Sequence, residues 1–267
     1  MGLTIHYELS LPGLTPQHVV EEMLERLRQR IMDLPFKQVD DKLTTREGDA
    51  ADFSQSKKDD DKRWFLIQCQ AHANFKYDRQ GRPTRAGWRI SRFSMSFPPA
   101  KVIGFSAWPG EGCEEANFGM CRFPERVEVK GEDGLPHSVS LGKPGWSWRS
   151  FCKTQYANDP RLGGFGNFLR CHLGMIAALD AAKELGFQVK VNDEGGFWKS
   201  RKVDKLAKAL GEYDALVAGI GLQLGDLGFN KEVRSALDGR PDRERLELKG
   251  QELLEKVKAK GLPKADQ

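Results

Sequence analysis

The chain has 267 residues, of which 39% are hydrophobic and 30% charged, with a formal net charge of +4. That length and apolar content exclude a wholly disordered chain and suffice for a sizeable core. No run approaches the roughly 18 apolar residues needed to cross a bilayer, so no membrane partner is expected, and the mild basic excess allows an anionic partner without requiring one.

Near the N-terminus, Leu3, Ile5, Tyr7 and Leu9 alternate with Thr4, His6 and Glu8, which predicts a strand over 3–9. Thr15 and Pro16 then read as an N-cap followed by proline in the first turn of a helix. Val20, Leu24, Leu27, Ile31 and Leu34 give that helix an apolar stripe, and Pro35 ends it. Residues 36–43 suggest a polar edge strand. Residues 44–62, with Lys57, Lys58, Asp59, Asp60, Asp61 and Lys62, read as a charged, mobile loop inside the domain.

Strands are predicted over 64–73, 88–97, 101–108, 118–123 and 126–130, punctuated by Gly81-Arg82-Pro83, Pro98-Pro99 and Pro109-Gly110. The second half is more helical. A central helix over 168–185 is apolar nearly all round and is closed by Gly186. A strand over 187–191 and a second long helix over 202–227 follow. That helix has Val203, Leu206, Leu210, Val217, Ile220 and Leu224 on its core face, and four glycines that allow close packing. Strands first and helices later argue for an α+β fold: a largely antiparallel sheet of five to seven strands, packed by one N-terminal and two long C-terminal helices. One domain is expected over 1–230. Residues 231–267 form a charged tail with a short surface helix over 246–259.

The five cysteines are odd in number, widely spaced and without a CxxC pair. This favours free thiols in a reducing compartment and argues against structural zinc. The N-terminus lacks the basic start and apolar run of a signal peptide. A cytoplasmic protein is therefore expected.

Five segments concentrate reactive groups. Residues 109–117 hold Cys113, Glu114, two further acids and two glycines; they read either as a flexible loop presenting a nucleophile or metal-binding carboxylates, or as a turn that uses glycine for positive φ. Residues 145–157 mix Trp146, Trp148, Arg149, Cys152, Lys153 and Tyr156; they suit a pocket wall or an anion clamp, or else plug the sheet. Cys152 beside Lys153 is a candidate for a lowered thiol pKa. Gly163-Gly164-Phe165-Gly166 opens the central helix but matches no phosphate-binding fingerprint. His172 lies in that buried helix, as a general base or a hydrogen-bonded core histidine. Asp193 and Glu194 directly follow the strand over 187–191, ahead of Gly195, Gly196 and Trp198, where carboxylates serve either chemistry or the solvation of the next helix. A separate basic and aromatic hairpin over 75–93 carries Arg82, Arg85, Trp88, Arg89 and Arg92, the pattern of a phosphate-contacting and base-stacking surface or of a solvated sheet face.

The segments PGEGCEEANFG (109–119), WSWRSFCKTQYA (146–157), NFLRCHLGMIAALDAAKELG (167–186) and DEGGFW (193–198) resemble an uncharacterised bacterial protein family with no known activity. The resemblance reaches to about residue 228 and implies only a bacterial, cytoplasmic setting.

The leading expectation is a small-molecule or nucleotide-binding protein, of hydrolase or transferase type if it is an enzyme. Its pocket is expected where 109–117, 146–157 and 193–198 converge. Glu114, Asp193 and Glu194 would act as acid, base or metal-binding carboxylates. Cys113 or Cys152 would be the nucleophile and His172 the base, with Arg149, Lys153, Tyr156 and Trp198 on the ligand. No metal or cofactor is assigned. The alternatives are a nucleic-acid or anionic-partner module using the 75–93 hairpin, and a protein-interaction module without a pocket.

Overall fold

The computed structural model describes residues 3–13, 15–57, 62–226 and 243–259, and its elements form an α+β fold. Strand β1 (Thr4–Ser10) leads into helix α1 (Gln17–Met32), then the short strands β2 (Gln38–Val39) and β3 (Thr44–Glu47). Helix α2 (Arg63–Gln68) precedes a three-stranded sheet of β4 (Ala71–Tyr77), β5 (Pro83–Arg85) and β6 (Phe93–Phe97). Next come β7 (Lys101–Trp108), β8 (Ala116–Arg122), the paired β9 (Arg126–Lys130) and β10 (Pro136–Ser140), and β11 (Trp146–Lys153). Helix α3 (Gly164–Glu184), strand β12 (Gln188–Asp193), the single turn α4 (Phe197–Ser200) and helices α5 (Val203–Asp226) and α6 (Arg243–Ala259) complete the order. No helix among the described residues is long and apolar enough to cross a membrane.

The main sheet runs β12-β1-β11-β8-β7-β2, with β3 also on β7, and every pairing is antiparallel. Strands β7 and β8 are buried almost throughout, whereas β1 and β12 alternate between covered and open positions. The difference marks where packed layers end. Helix α1 buries Val20, Leu24, Leu27 and Ile31 of the predicted stripe and ends at Met32, so Leu34 falls in the turn that follows. Tyr7, Phe118 and Phe105 stack in series, with ring centroids 5.5 Å apart at each step.

Several local expectations give way. Residues 64–73 are not one strand: Phe65 and Leu66 are both buried while Ile67 is 37% exposed. Adjacent buried residues followed by buried Cys69 fit a helical turn, and α2 takes it before β4 begins. Residues 88–97 start as a 3₁₀ turn, Trp88–Ile90, because no layer covers that end; only β6 is strand. The expected mobile loop over 44–62 contains β3, and Ala51 is fully buried. Its residues 58–61 lie outside the described residues. The edge strand expected over 36–43 shortens to β2. Thr15 does not cap α1; its hydroxyl donates to the Pro12 carbonyl (2.8 Å), and Pro16 takes the cap position. The polar stretch 146–153 is a strand of the main sheet, between β1 and β8.

Helix α6 spans more than the expected 246–259 and packs against α5. A Cβ on Gly219 would lie 2.8 Å from the Gly250 carbonyl carbon, so both positions need glycine for the helices to touch. The side chains of Val217, Ile220 and Leu224, and the domain end expected near residue 230, lie outside the described residues.

Candidate functional site

The three reactive segments meet at the N-terminal half of α3, where most of their side chains are committed to the fold. Arg170 donates to the Pro109 carbonyl (2.9 Å), and Asn167 to the Glu111 carbonyl (3.1 Å), so α3 pins the 109–117 turn. Glu114 accepts the Lys153 backbone N–H (3.2 Å), and its other oxygen lies 3.9 Å from the Lys153 ammonium. That ammonium sits over the Tyr156 ring, 5.6 Å from its centroid.

At the centre is a buried relay. His172 Nδ1 is 3.0 Å from the Thr154 hydroxyl, and Nε2 is 3.4 Å from Asp193 Oδ1. His172 is fully buried and the Asp193 side chain is 1% exposed. The Nε2 approach lacks hydrogen-bond alignment. Asp193 also accepts the N–H groups of Gly195 and Trp198, both at 2.8 Å. Burial pushes its carboxyl pKa up, but the neighbouring His172 and the Trp198 and Gly195 N–H groups outweigh burial and hold it below the ordinary value. Such a relay, closed to solvent, clasps β12 and the turn after β11 onto α3. Glu194 accepts the Thr4 N–H (2.9 Å) and lies 3.7 Å from His6 Nε2. Trp198 lies under the Arg201 guanidinium, 4.7 Å away, which is itself held by Asp180.

Three thiols pack nearby. Cys152 is fully buried and donates to the Glu114 carbonyl (3.2 Å). Burial pushes its pKa up, against the lowering expected from Lys153. Consecutive strand residues point to opposite faces, so Lys153 does not stabilise a Cys152 thiolate. Cys113 donates to Cys171, which raises the first thiol's pKa, as does burial; Cys171 is the more acidic partner, helped by Arg170 at 3.2 Å. Native alkylation by iodoacetamide, followed by mass spectrometry, is expected to reach only half-buried Cys113, and slowly because its raised pKa leaves little thiolate, with all five thiols labelled after unfolding. Fast native labelling of Cys152 would contradict this packing. Among the described residues, no three His, Cys, Asp or Glu side chains converge to hold a metal ion.

The open space lies elsewhere. A groove of about 590 Å³ runs over β12, β1 and β11, with Ile67 and Gln68 at the end of α2, Gln70 beyond it and His72 of β4 along it. His6, Glu8, Arg149, Phe151, Lys190 and Asn192 line it from the main sheet. Strand register explains the set: His6 pairs with Phe151 and Asn192, and Glu8 with Arg149 and Lys190, so these side chains share one face. Glu8 and Arg149 form an ion pair. Gln68 accepts from Ser150 Oγ (2.5 Å) and Asn117 Nδ2 (3.1 Å), while its own Nε2 is buried without a hydrogen-bond partner. A hollow of about 250 Å³ shares Gln68, His72, Arg149 and Lys190 and adds Lys143. Burial, then Arg149 and Arg85, hold the Lys143 pKa below its ordinary value, the sign of crowded positive charge.

Of the residues expected on the ligand, only Arg149 reaches this groove. His6, Gln68, His72, Lys143 and Lys190 were not singled out from the sequence. The signal for His6 and Lys190 was their place on the polar side of alternating strands; nothing in sequence placed those strands side by side.

In the hairpin, Arg82 is tied to Asp78 (3.0 Å) and Arg85 donates to the Leu141 carbonyl (2.6 Å). Arg89 lies over the Trp88 ring at 5.7 Å, and Arg92 is exposed. The chain matches no family model, no curated protein and no solved structure.

Proposed function

We propose that this protein binds a small anionic molecule, about the size of a nucleotide, in the groove on the open face of β12, β1 and β11. One observation carries the reading: the same hollow holds Arg149, Lys190 and a buried Gln68 Nε2 with no hydrogen-bond partner. An unmet buried donor costs about 1–3 kcal/mol, which a ligand oxygen would recover. The volume of about 590 Å³ falls within the ~300–1,000 Å³ common for small-molecule sites. Lys143 and Arg149 favour a phosphate or carboxylate, since their mutual repulsion is relieved by an anion. The rings of His6 and Phe151, 5.9 Å apart, offer a flat surface to a ring system. The five free thiols support a cytoplasmic metabolite.

A thermal-shift panel of nucleotides, sugar phosphates and dicarboxylates tests this. A true ligand at 100 times its dissociation constant is expected to add about 2.7 kcal/mol of stability. Lys190→Ala, at an exposed position, is expected to leave the free protein's melting unchanged and to weaken binding about tenfold or more, the worth of one charged hydrogen bond. Stabilisation that is indifferent to both Lys190→Ala and Gln68→Leu would place the ligand outside the groove.

A further inference from the structure

From Arg79 to Gly110 the sequence contains five arginines, one lysine and no acid. The structure sorts these cations. Arg82 pairs with Asp78 across the β4–β5 turn, Arg85 ties the small sheet to the Leu141 carbonyl after β10, and Lys101 pairs with Glu47 at 2.8 Å. Arg89 and Arg92 stay exposed on the segment that links β5 to β6. That segment crosses from one side of β4 to the other, its ends fixed by the Ala86 N–H on the Asn74 carbonyl (2.9 Å) and the Arg92 N–H on the Phe75 carbonyl (2.7 Å). At its middle, Trp88 is 75% and Ile90 60% exposed. A free indole next to two arginines marks a surface built for contact.

We infer that this surface binds single-stranded nucleic acid, with Trp88 stacking on a base and Arg89 and Arg92 on adjacent phosphates. Arg89 already lies over the indole, so cation–π contact orients both groups. The sheet to which that segment belongs is the second observation. Ala71, Ala73 and Phe75 of β4 face the core, which leaves His72, Asn74 and Lys76 on the other face. His72 pairs with Ser96, and Asn74 with Ser94, so that face is hydrogen-bonding throughout. Splayed bases and sugars use such a polar face, and lipid chains do not. The stacking and phosphate-contacting residues are distinct from the groove, since neither Trp88 nor Arg89 lines it; His72 alone of the polar β4 residues borders both surfaces.

The test is fluorescence anisotropy of labelled oligo(U) and oligo(dT) with the full chain over a range of KCl concentrations. Affinity is expected to fall with salt, with a logarithmic slope of about −0.7 for each phosphate neutralised. Trp88→Ala is expected to weaken binding about tenfold, Trp88→Phe much less, and Arg89→Ala to flatten the salt slope. Both positions are exposed, so circular-dichroism melts of the three variants should match the parent. Trp88→Ala binding as tightly as the parent would overturn the inference, as would no salt-sensitive binding. Binding to phosphatidylserine vesicles in place of oligonucleotides would also overturn it.

Discussion

Asp193→Ala is expected to lower the unfolding free energy by about 3–5 kcal/mol, the cost of removing one partner from a buried charged contact. The N–H groups of Gly195 and Trp198 lose their acceptor, and buried His172 loses the carboxylate that lies 3.4 Å from its Nε2. None has solvent to turn to in place of the carboxylate, because the side chain is 1% exposed. Urea denaturation of the two proteins measures the difference. A loss under about 1 kcal/mol, the level of a single surface contact, would mean that the relay does not hold β12 to α3. Asp193→Asn should fall between, since an amide oxygen still accepts from the backbone.

The same carboxylate sets a pH dependence. Its pKa in the folded protein is lowered from an ordinary value near 3.8. The unfolded chain therefore binds the proton more readily, and stability rises with pH across that window. The contribution is fully present above the ordinary value and is lost as pH falls through the lowered one. Asp193→Asn is expected to flatten this acid limb and to leave the neutral region parallel to the parent's.

Gly112→Ala is expected to cost about 2–5 kcal/mol, combining backbone strain with overpacking. Gly112 has φ of +78°, where a side chain is strained whatever the space around it. A Cβ there would also lie 2.5 Å from the Tyr156 carbonyl oxygen and 2.6 Å from the Ala157 nitrogen. Both are backbone atoms that cannot rotate away. Thermal and urea melts should show the loss together, with the 155–158 turn less protected in hydrogen exchange. Parent-like stability would require the 109–117 turn to be free of that turn. These glycines thus fit a turn held tightly against its neighbours.

Where burial ran along one element, the sequence was legible. The α1 stripe, the alternation in β1 and the all-round apolar α3 each follow from a single period meeting a single layer. Segment 64–73 was misread because its apolar run fits strand or helix equally, and only the exposure of Ile67 separates them. Segment 146–153 looked like a site because its polar residues are dense. As a strand with its two faces unlike, it sends Trp146, Trp148 and Cys152 into the core, and Arg149 and Phe151 to the groove.

By itself the sequence determined the class of fold, the central helix and the long acid-free, arginine-rich stretch, because period and composition are local properties. It also brought forward His172 and Asp193, whose contact spans β12 and α3. Tertiary structure alone decided that this contact is sealed, that β1, β11 and β12 lie side by side, and that Gln68 lines the hollow over them. Strand order and solvent access are set by how distant segments pack, and no single segment carries that information.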